Sequence, residues 1–171
     1  TLDIYAPIAQ RLGMNAIRLE LEELGFQALY PQRHGVLKRF IQKIRGNRSE
    51  VVTKIKNRIK RHLRQEELVA HVAGREKHLY SIYRKMRQKH LHLTEVHDVY
   101  AFRIIVDSVD TCYRTLGVIH GLYKPVPGTF KDYIAIPKAN GYQSLHTVLF
   151  GPFGVPLEVQ IRTNEMDHVA E

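Results

Sequence analysis

Apolar side chains change their rhythm part-way along this chain. From Ile4 to Tyr30 they recur at helical spacing, at Ile8 and Leu12 and then at Ile17, Leu21, Leu24 and Ala28, with Gly13 as an interruption and Pro31 as a stop. This predicts two short amphipathic helices. From His34 to Leu68 the background is rich in Lys and Arg, and Val36, Phe40 and Ile44, then Val52, Ile55, Ile59 and Leu63, keep a helical period around a break at Gly46-Asn47. That stretch reads as a basic helical connector. Beyond it the runs shorten. Val99 to Val106, Lys131 to Ile136, Leu145 to Phe150 and Leu157 to Ile161 are β-branched or aromatic and bounded by Pro and Gly, with Leu68 to Ala73 as a weaker fifth strand. Helical patterns over His78 to Lys89 and Thr111 to Tyr123 lie between them. The fold class expected is α+β, a mixed β-sheet flanked by helices and preceded by a helical segment. The expected organisation is a terminal helical piece over 1–33, the connector over 34–67 and a sheet domain over 68–171.

The helix after Gly74 shows two faces. Leu79, Ile82, Tyr83 and Met86 form an apolar side suited to packing on the sheet, while Lys77, Ser81 and Lys85 recur every four residues on another side. Spaced cations with a hydroxyl between them, near a helix amino terminus, match a polyphosphate chain. A solvated charged face is the plain alternative, and for Lys85 alone it would be the better reading. The last strand alternates without ambiguity: Leu157, Val159 and Ile161 point one way, and Glu158, Gln160 and Arg162 the other. Asp98 precedes another apolar strand, and two carboxylates on neighbouring strands are a usual protein contribution to a Mg²⁺ site. In a straight strand Asp98 and Arg103 would occupy opposite faces, so one of them needs the strand start or a bulge to join the site.

Tyr142 follows Asn140-Gly141, a strong turn signal, and is expected exposed at a strand entrance where it can stack on a base. Arg75 and Arg103 can stack in the same way. Edge-strand packing is the alternative for Tyr142. Of the ten histidines only His146 lies in this group, and the others are expected on surface or loop. The sequence has no zinc spacing, no Gly-rich phosphate loop and no G-x-G-x-x-G.

Composition narrows the partners. With 26 Lys and Arg against 17 Asp and Glu in 171 residues, the formal net charge is +9, so an anionic partner is expected. Cys112 stands alone, which excludes an internal disulfide framework, fits a reducing compartment and suits a small buried filler. No apolar run approaches the roughly 20 residues of a membrane span, and a cytoplasmic location is expected. The chain opens within a helical pattern and stops soon after a helix start at Asn164, its expected cap, so it reads as a piece of something longer.

Four ordered stretches carry a likeness to a known family: Gly74-Arg75-Glu76-Lys77-His78-Leu79-Tyr80-Ser81-Ile82-Tyr83-Arg84-Lys85, Asp98-Val99-Tyr100-Ala101-Phe102-Arg103, Lys131 to Thr147, and Glu158-Val159-Gln160-Ile161-Arg162-Thr163. They closely resemble the synthetase domain of the RelA/SpoT alarmone enzymes of the stringent response. The likeness covers nearly the whole chain, and Tyr5 to Pro31 resembles the last helices of the family's preceding hydrolase half. It implies a fold related to nucleotidyltransferases and a pyrophosphokinase that moves the β,γ-diphosphate of ATP to the 3′-hydroxyl of GTP or GDP, giving (p)ppGpp and AMP. By motif position, Arg75 and Arg103 would sandwich adenine, and Lys77, Ser81 and Lys85 would hold the ATP phosphates. Asp98 and Glu158 would bind Mg²⁺, with Glu158 also the base toward the 3′-hydroxyl. Tyr142 would stack on guanine, and Lys131, Lys138, Asn140, His146 and Gln160 would line the acceptor site.

Two-activity members of the family carry R-x-K-D where this chain reads Thr129-Phe130-Lys131-Asp132, so Lys131 places it with the bifunctional, SpoT-like type although Thr129 replaces the first basic residue. The family's hydrolase metal motif is absent from this stretch, and no alarmone hydrolysis is expected from it. Two rivals remain at this level: a regulatory nucleotide-binding domain without turnover, and a basic RNA- or ribosome-binding module. Against the second, aromatics are sparse in the connector Lys38 to Arg64, so direct nucleic-acid binding is not expected; regulatory partners of a longer protein are.

Overall fold

Two compact units, interleaved in sequence, make up the computed structural model, which describes residues 1–46, 49–75, 77–92, 100–154 and 156–170. A helical unit contains α1 (Tyr5–Arg11), α2 (Asn15–Leu29), α3 (Pro31–Gly46) and α5 (Leu79–Lys89). A sheet unit contains α4 (Ser49–Gln65), α6 (Val109–Leu122), α7 (Asn164–Ala170) and five strands: β1 (His71–Gly74), β2 (Tyr100–Val106), β3 (Lys131–Asp132), β4 (Leu145–Phe150) and β5 (Pro156–Thr163). The 34–67 connector therefore resolves into two helices that belong to different units.

In the helical unit Phe26 is fully buried and stacked on Tyr83, their rings 4.7 Å apart, with Leu37, Ile41 and Ile82 around them. The apolar side of α5 thus packs on α2 and α3, not on the sheet as the sequence suggests. The stripes read on the first three helices are also corrected. Ile8, Leu12, Ile17 and Leu24 are exposed, and it is Ala6, Ala9, Gly25 and Phe26 that are buried. The missing side chain of Gly25 makes room for buried Leu2: a Cβ added at Gly25 would lie 2.8 Å from Leu2 Cγ. The large residues then fall outside. On α3 the buried stripe is Leu37 and Ile41, one residue on from Val36 and Phe40, while the Ile44 side chain lies outside the described residues.

The sheet has the order β1-β2-β5-β4-β3, with β2 and β5 parallel and every other pair antiparallel, so it is mixed as expected. One face is core. Phe102, Ile104, Leu145, Leu149, Leu157, Val159 and Ile161 are all at 0 % exposure, beneath Ile55, Ile59 and Leu63 of α4 and Cys112 and Ile119 of α6. Truncating one such aromatic, Phe102, would cost on the order of 3–5 kcal/mol. Burial, then the charge of Asp107, pushes the Cys112 thiol up to about 11, which fits an inert filler.

Local chemistry sets the ends of the elements. The Ser108 hydroxyl accepts from the Thr111 N–H at 3.2 Å and caps α6. His90, at φ 52°, closes α5 in the left-handed conformation. The cap of α7 is Thr163, not Asn164: β5 runs through Thr163, whose Oγ1 accepts from Met166 N–H at 3.3 Å. The strand expected over 131–136 pairs only at Lys131 and Asp132. Asp132 Oδ1 accepts from the N–H groups of Ile134 at 3.0 Å and Ala135 at 2.8 Å, which turns the chain away and leaves Ile136 exposed.

Candidate functional site

The other face of the sheet is polar, and its register gathers residues that are far apart in sequence. Ala73 of β1 lies opposite Arg103 of β2, Arg103 opposite Gln160 of β5, Gln160 opposite His146 of β4, and His146 opposite Lys131 of β3. Four expected site residues thus form one cross-strand row spanning roughly 14 Å, three strand spacings. In the neighbouring row Arg75 joins the edge of β2 by donating its backbone N–H to the Ala101 carbonyl at 2.7 Å. Ala101 lies opposite Glu158, and Glu158 opposite Val148. Flanked by these two small or short side chains, the Glu158 carboxylate keeps 23 % exposure at the floor of the face.

A hydrogen bond and a nearby cation meet this carboxylate. Gln160 Nε2 donates to Glu158 Oε1 at 3.2 Å, and Arg75 Nη1 lies 4.0 Å from the same oxygen. Gln160 and Arg162 are buried, deeper than the alternation of the strand could indicate. Arg103 and Arg162 both reach Asp167 of α7, Arg103 through Nη1 at 3.3 Å. Around these rows the cations Arg75, Arg103, Lys131, Lys138 and Arg162 accompany the carboxylates of Glu158 and Asp167, a local balance that favours polyanions.

An aromatic corner stands beside the row. The Tyr142 hydroxyl lies 2.8 Å from His146 Nε2, and Tyr133 packs edge-on against both rings at 6.2 and 5.2 Å. Lys138 Nζ sits 4.7 Å from the Tyr133 ring centroid and 5.0 Å from that of Tyr142. Tyr142 is therefore half-buried and partnered, where the sequence suggests free exposure. Its turn forms as read: Gly141, at φ 77°, donates its N–H to the Lys138 carbonyl at 2.9 Å. Asn140 fastens that turn by accepting from the Tyr142 N–H at 3.2 Å. Burial first, then the charges of Lys138, Arg75 and Arg162 against the opposing pull of Glu158, bring the His146 imidazole down to about 4. It is a neutral ring at physiological pH.

The remaining expected residues belong to the helical unit or lie outside the described residues. Ser81 and Lys85 lie on α5 in the helical unit, and Lys77 precedes the helix, whose N-cap His78 makes no side-chain capping bond. Asp98 lies outside the described residues. Two histidines depart from the expected surface placement: His34 is buried with Nε2 2.8 Å from Glu23 Oε1, and His120 Nε2 lies 3.0 Å from the Thr147 hydroxyl. Among the described residues no three His, Cys, Asp or Glu cluster as a metal site, and no helix is long and apolar enough to cross a membrane. Sequence reasoning passed over Tyr133, which lies inside a quoted motif, and the pairing of Arg162 with Asp167, which only the strand-to-helix junction reveals.

Comparison with known proteins places this arrangement. The chain is 58% identical over all 171 of its residues to the bifunctional (p)ppGpp synthase/hydrolase SpoT of Escherichia coli K12, of which it covers 24%. It is 46% identical to the GTP pyrophosphokinase of Myxococcus xanthus, covering 23% of that protein. The chain thus spans about a quarter of the length of these curated relatives. Among solved structures, small alarmone synthetase 1 of Bacillus subtilis bound to its product pppGpp superposes with a TM-score of 0.59 at 27% identity, over 74% of each chain. Residues 74–171 match the family described as a region found in RelA / SpoT proteins, and with that match covering more than half its length the chain belongs to the RelA/SpoT family.

Proposed function

We propose that this chain carries a (p)ppGpp synthetase, a pyrophosphokinase that transfers the β,γ-diphosphate of ATP to the 3′-hydroxyl of GTP or GDP. The observation that carries the reading is the cross-strand row Arg103, Gln160, His146 and Lys131 with Glu158 beside it, a basic polar floor around one half-buried carboxylate. Such a transfer asks the protein mainly to position reactants and neutralise charge.

In this reading the acceptor 3′-oxygen attacks the β-phosphorus of ATP while its proton passes to Glu158. The bond from the β-phosphorus to the α,β-bridging oxygen breaks, and AMP leaves. Arg75 and Arg103 hold adenine, Lys77, Ser81 and Lys85 the donor phosphates, and Tyr142 the guanine. Lys131, Lys138, Asn140, His146 and Gln160 line the acceptor side. Glu158 offers hard oxygen donors on a face that attracts phosphate, which suits Mg²⁺, an ion that takes most of its shell from water and phosphate. Glu158 and Asp98 are the residues that would hold it, and when bound it supplies charge neutralisation on the phosphates. The alarmone hydrolase named for several relatives is assigned to sequence beyond this stretch, and the chain to the cytoplasm.

The test is incubation with γ-labelled ATP, GTP or GDP and Mg²⁺, followed by separation of nucleotides. Label is expected on a guanosine product with an equal amount of AMP, abolished by Glu158→Gln. Thermal stabilisation by nucleotide without product would instead leave a regulatory binding domain. Release of pyrophosphate from added ppGpp would overturn the assignment of hydrolysis elsewhere.

A further inference from the structure

Arg162 is the most deeply buried charge among the described residues of the sheet unit, its side chain only 2% exposed at the end of β5. A guanidinium so placed needs a counter-charge, because burying it unpaired costs far more than pairing it. Asp167, half-way along α7 and 20% exposed, provides it. The same carboxylate oxygen, Oδ1, also meets Arg103 Nη1 at 3.3 Å. Two arginines therefore share one acidic group, Arg162 the more deeply buried of the two. Burial and then the Arg103 charge bring the Arg162 guanidinium below its ordinary value, with Asp167 opposing them.

The ladder neighbours of Arg103 show where a fastening acts. Across the ladder it faces Ala73 on one side and Gln160 on the other. Ala73 offers no wall against which a long side chain can be oriented. A guanidinium held at one nitrogen by a carboxylate has already lost part of the freedom that would otherwise be frozen only on binding.

We propose that Asp167 is a positioning residue that sets the plane of the Arg103 guanidinium for the donor base, with buried Arg162 as the anchor that keeps Asp167 in place. The proposal rests on the reading of Arg103 as a platform for adenine. It gives α7 a part in donor recognition through a residue that need not touch the nucleotide.

The experiment is calorimetric binding of α,β-methylene-ATP with Mg²⁺ to the whole chain, as wild type, Arg103→Ala, Asp167→Asn, Asp167→Glu and the double variant Arg103→Ala/Asp167→Asn. Inorganic tripolyphosphate, which has no base, is measured in parallel. Arg103→Ala and Asp167→Asn are each expected to weaken the analogue roughly three- to tenfold. The double variant should bind no more weakly than Arg103→Ala alone, and Asp167→Glu should recover most of the loss. Charge alone predicts the opposite sign, since removing an acid from a basic face favours a polyanion; tripolyphosphate should therefore bind Asp167→Asn as well as wild type or better. Unchanged analogue binding in Asp167→Asn, or losses that multiply in the double variant, would overturn the proposal while leaving Arg103 as a platform. Unchanged binding in Arg103→Ala would overturn that underlying reading. Failure of both Asp167 variants to fold would assign Asp167 to structure alone and sink the positioning role.

Discussion

The Tyr142 phenol and the His146 imidazole are joined by a 2.8 Å hydrogen bond across the entrance to β4, four residues apart in the chain. The bond fixes the edge of the Tyr142 ring and leaves its role in stacking separable from its hydroxyl. Tyr142→Phe keeps the ring and should raise the acceptor KM less than about threefold, the effect of one partly exposed hydrogen bond. Tyr142→Ala removes the stacking surface and should raise it roughly tenfold or more. Steady-state kinetics with ATP and acceptor varied separately checks this, because the ATP KM should not move in either variant.

The depressed basicity of His146 gives a stability signature. Its ordinary value is 6.5 and the folded protein brings it to about 4, so between those limits the unfolded chain binds the proton more readily. The contribution of His146 is fully present above pH 6.5 and is lost as pH falls toward 4. Comparing wild type with His146→Gln removes the background from carboxylates that titrate in the same window. The difference in unfolding free energy between the two, followed by denaturant titration, should shrink progressively from pH 6.5 to 4 and stay flat from pH 7 to 8.

Much of this was readable from sequence where one rule acts alone. Short β-branched or aromatic runs bounded by Pro and Gly place β4 and β5, and alternation along β5 sorts Glu158, Gln160 and Arg162 onto one face. Depth was not readable, because the partner that permits Arg162 to be buried sits in the next helix. The cross-strand row was not readable either, since register depends on which strands become neighbours, and β2 pairs with β5 across an intervening helix and two strands. The misread stripes on α1, α2 and α3 have another cause. Hydrophobicity alone favours the large residues, whereas close helix packing is made by Ala6, Ala9 and Gly25.

Thr129, the residue that departs from the R-x-K-D pattern, works as a fastener. Its hydroxyl donates to the Val126 carbonyl at 2.6 Å, and the Val148 N–H points at the same oxygen from 3.4 Å. Thr129→Val keeps the shape and loses the bonds, so it should lower stability by about 1–2 kcal/mol while leaving the GTP to GDP ratio of kcat/KM within twofold. Thr129→Arg adds a cation where Thr129 abuts the row of Glu158, and should raise that ratio about threefold or more, because the acceptor with the longer phosphate chain gains most. Competition between GTP and GDP in one reaction measures it directly.

Asp132 decides where β3 ends, and with it where Lys131 is presented. Its Oδ1 accepts from Ile134 and Ala135, and its Oδ2 from the Tyr113 hydroxyl at 2.8 Å, so one side chain ties the strand end, the following turn and α6 together. Burial pushes the carboxyl up, but the N–H of Ala135, the Tyr113 hydroxyl and the N–H of Ile134 outweigh it and hold the group below its ordinary 3.8. The ionised form is the one that is favoured on folding, so its stabilisation is present above that value and fades as pH falls through the folded one. Asp132→Ala should cost roughly 1–3 kcal/mol at pH 7, and Asp132→Asn less, because an amide oxygen can still take the two backbone N–H groups. The gap between wild type and Asp132→Ala should narrow below pH 3.8. If Lys131 contacts the acceptor, Asp132→Ala should also raise the acceptor KM at temperatures where the variant is fully folded; a stability loss with an unchanged acceptor KM would confine Asp132 to the turn.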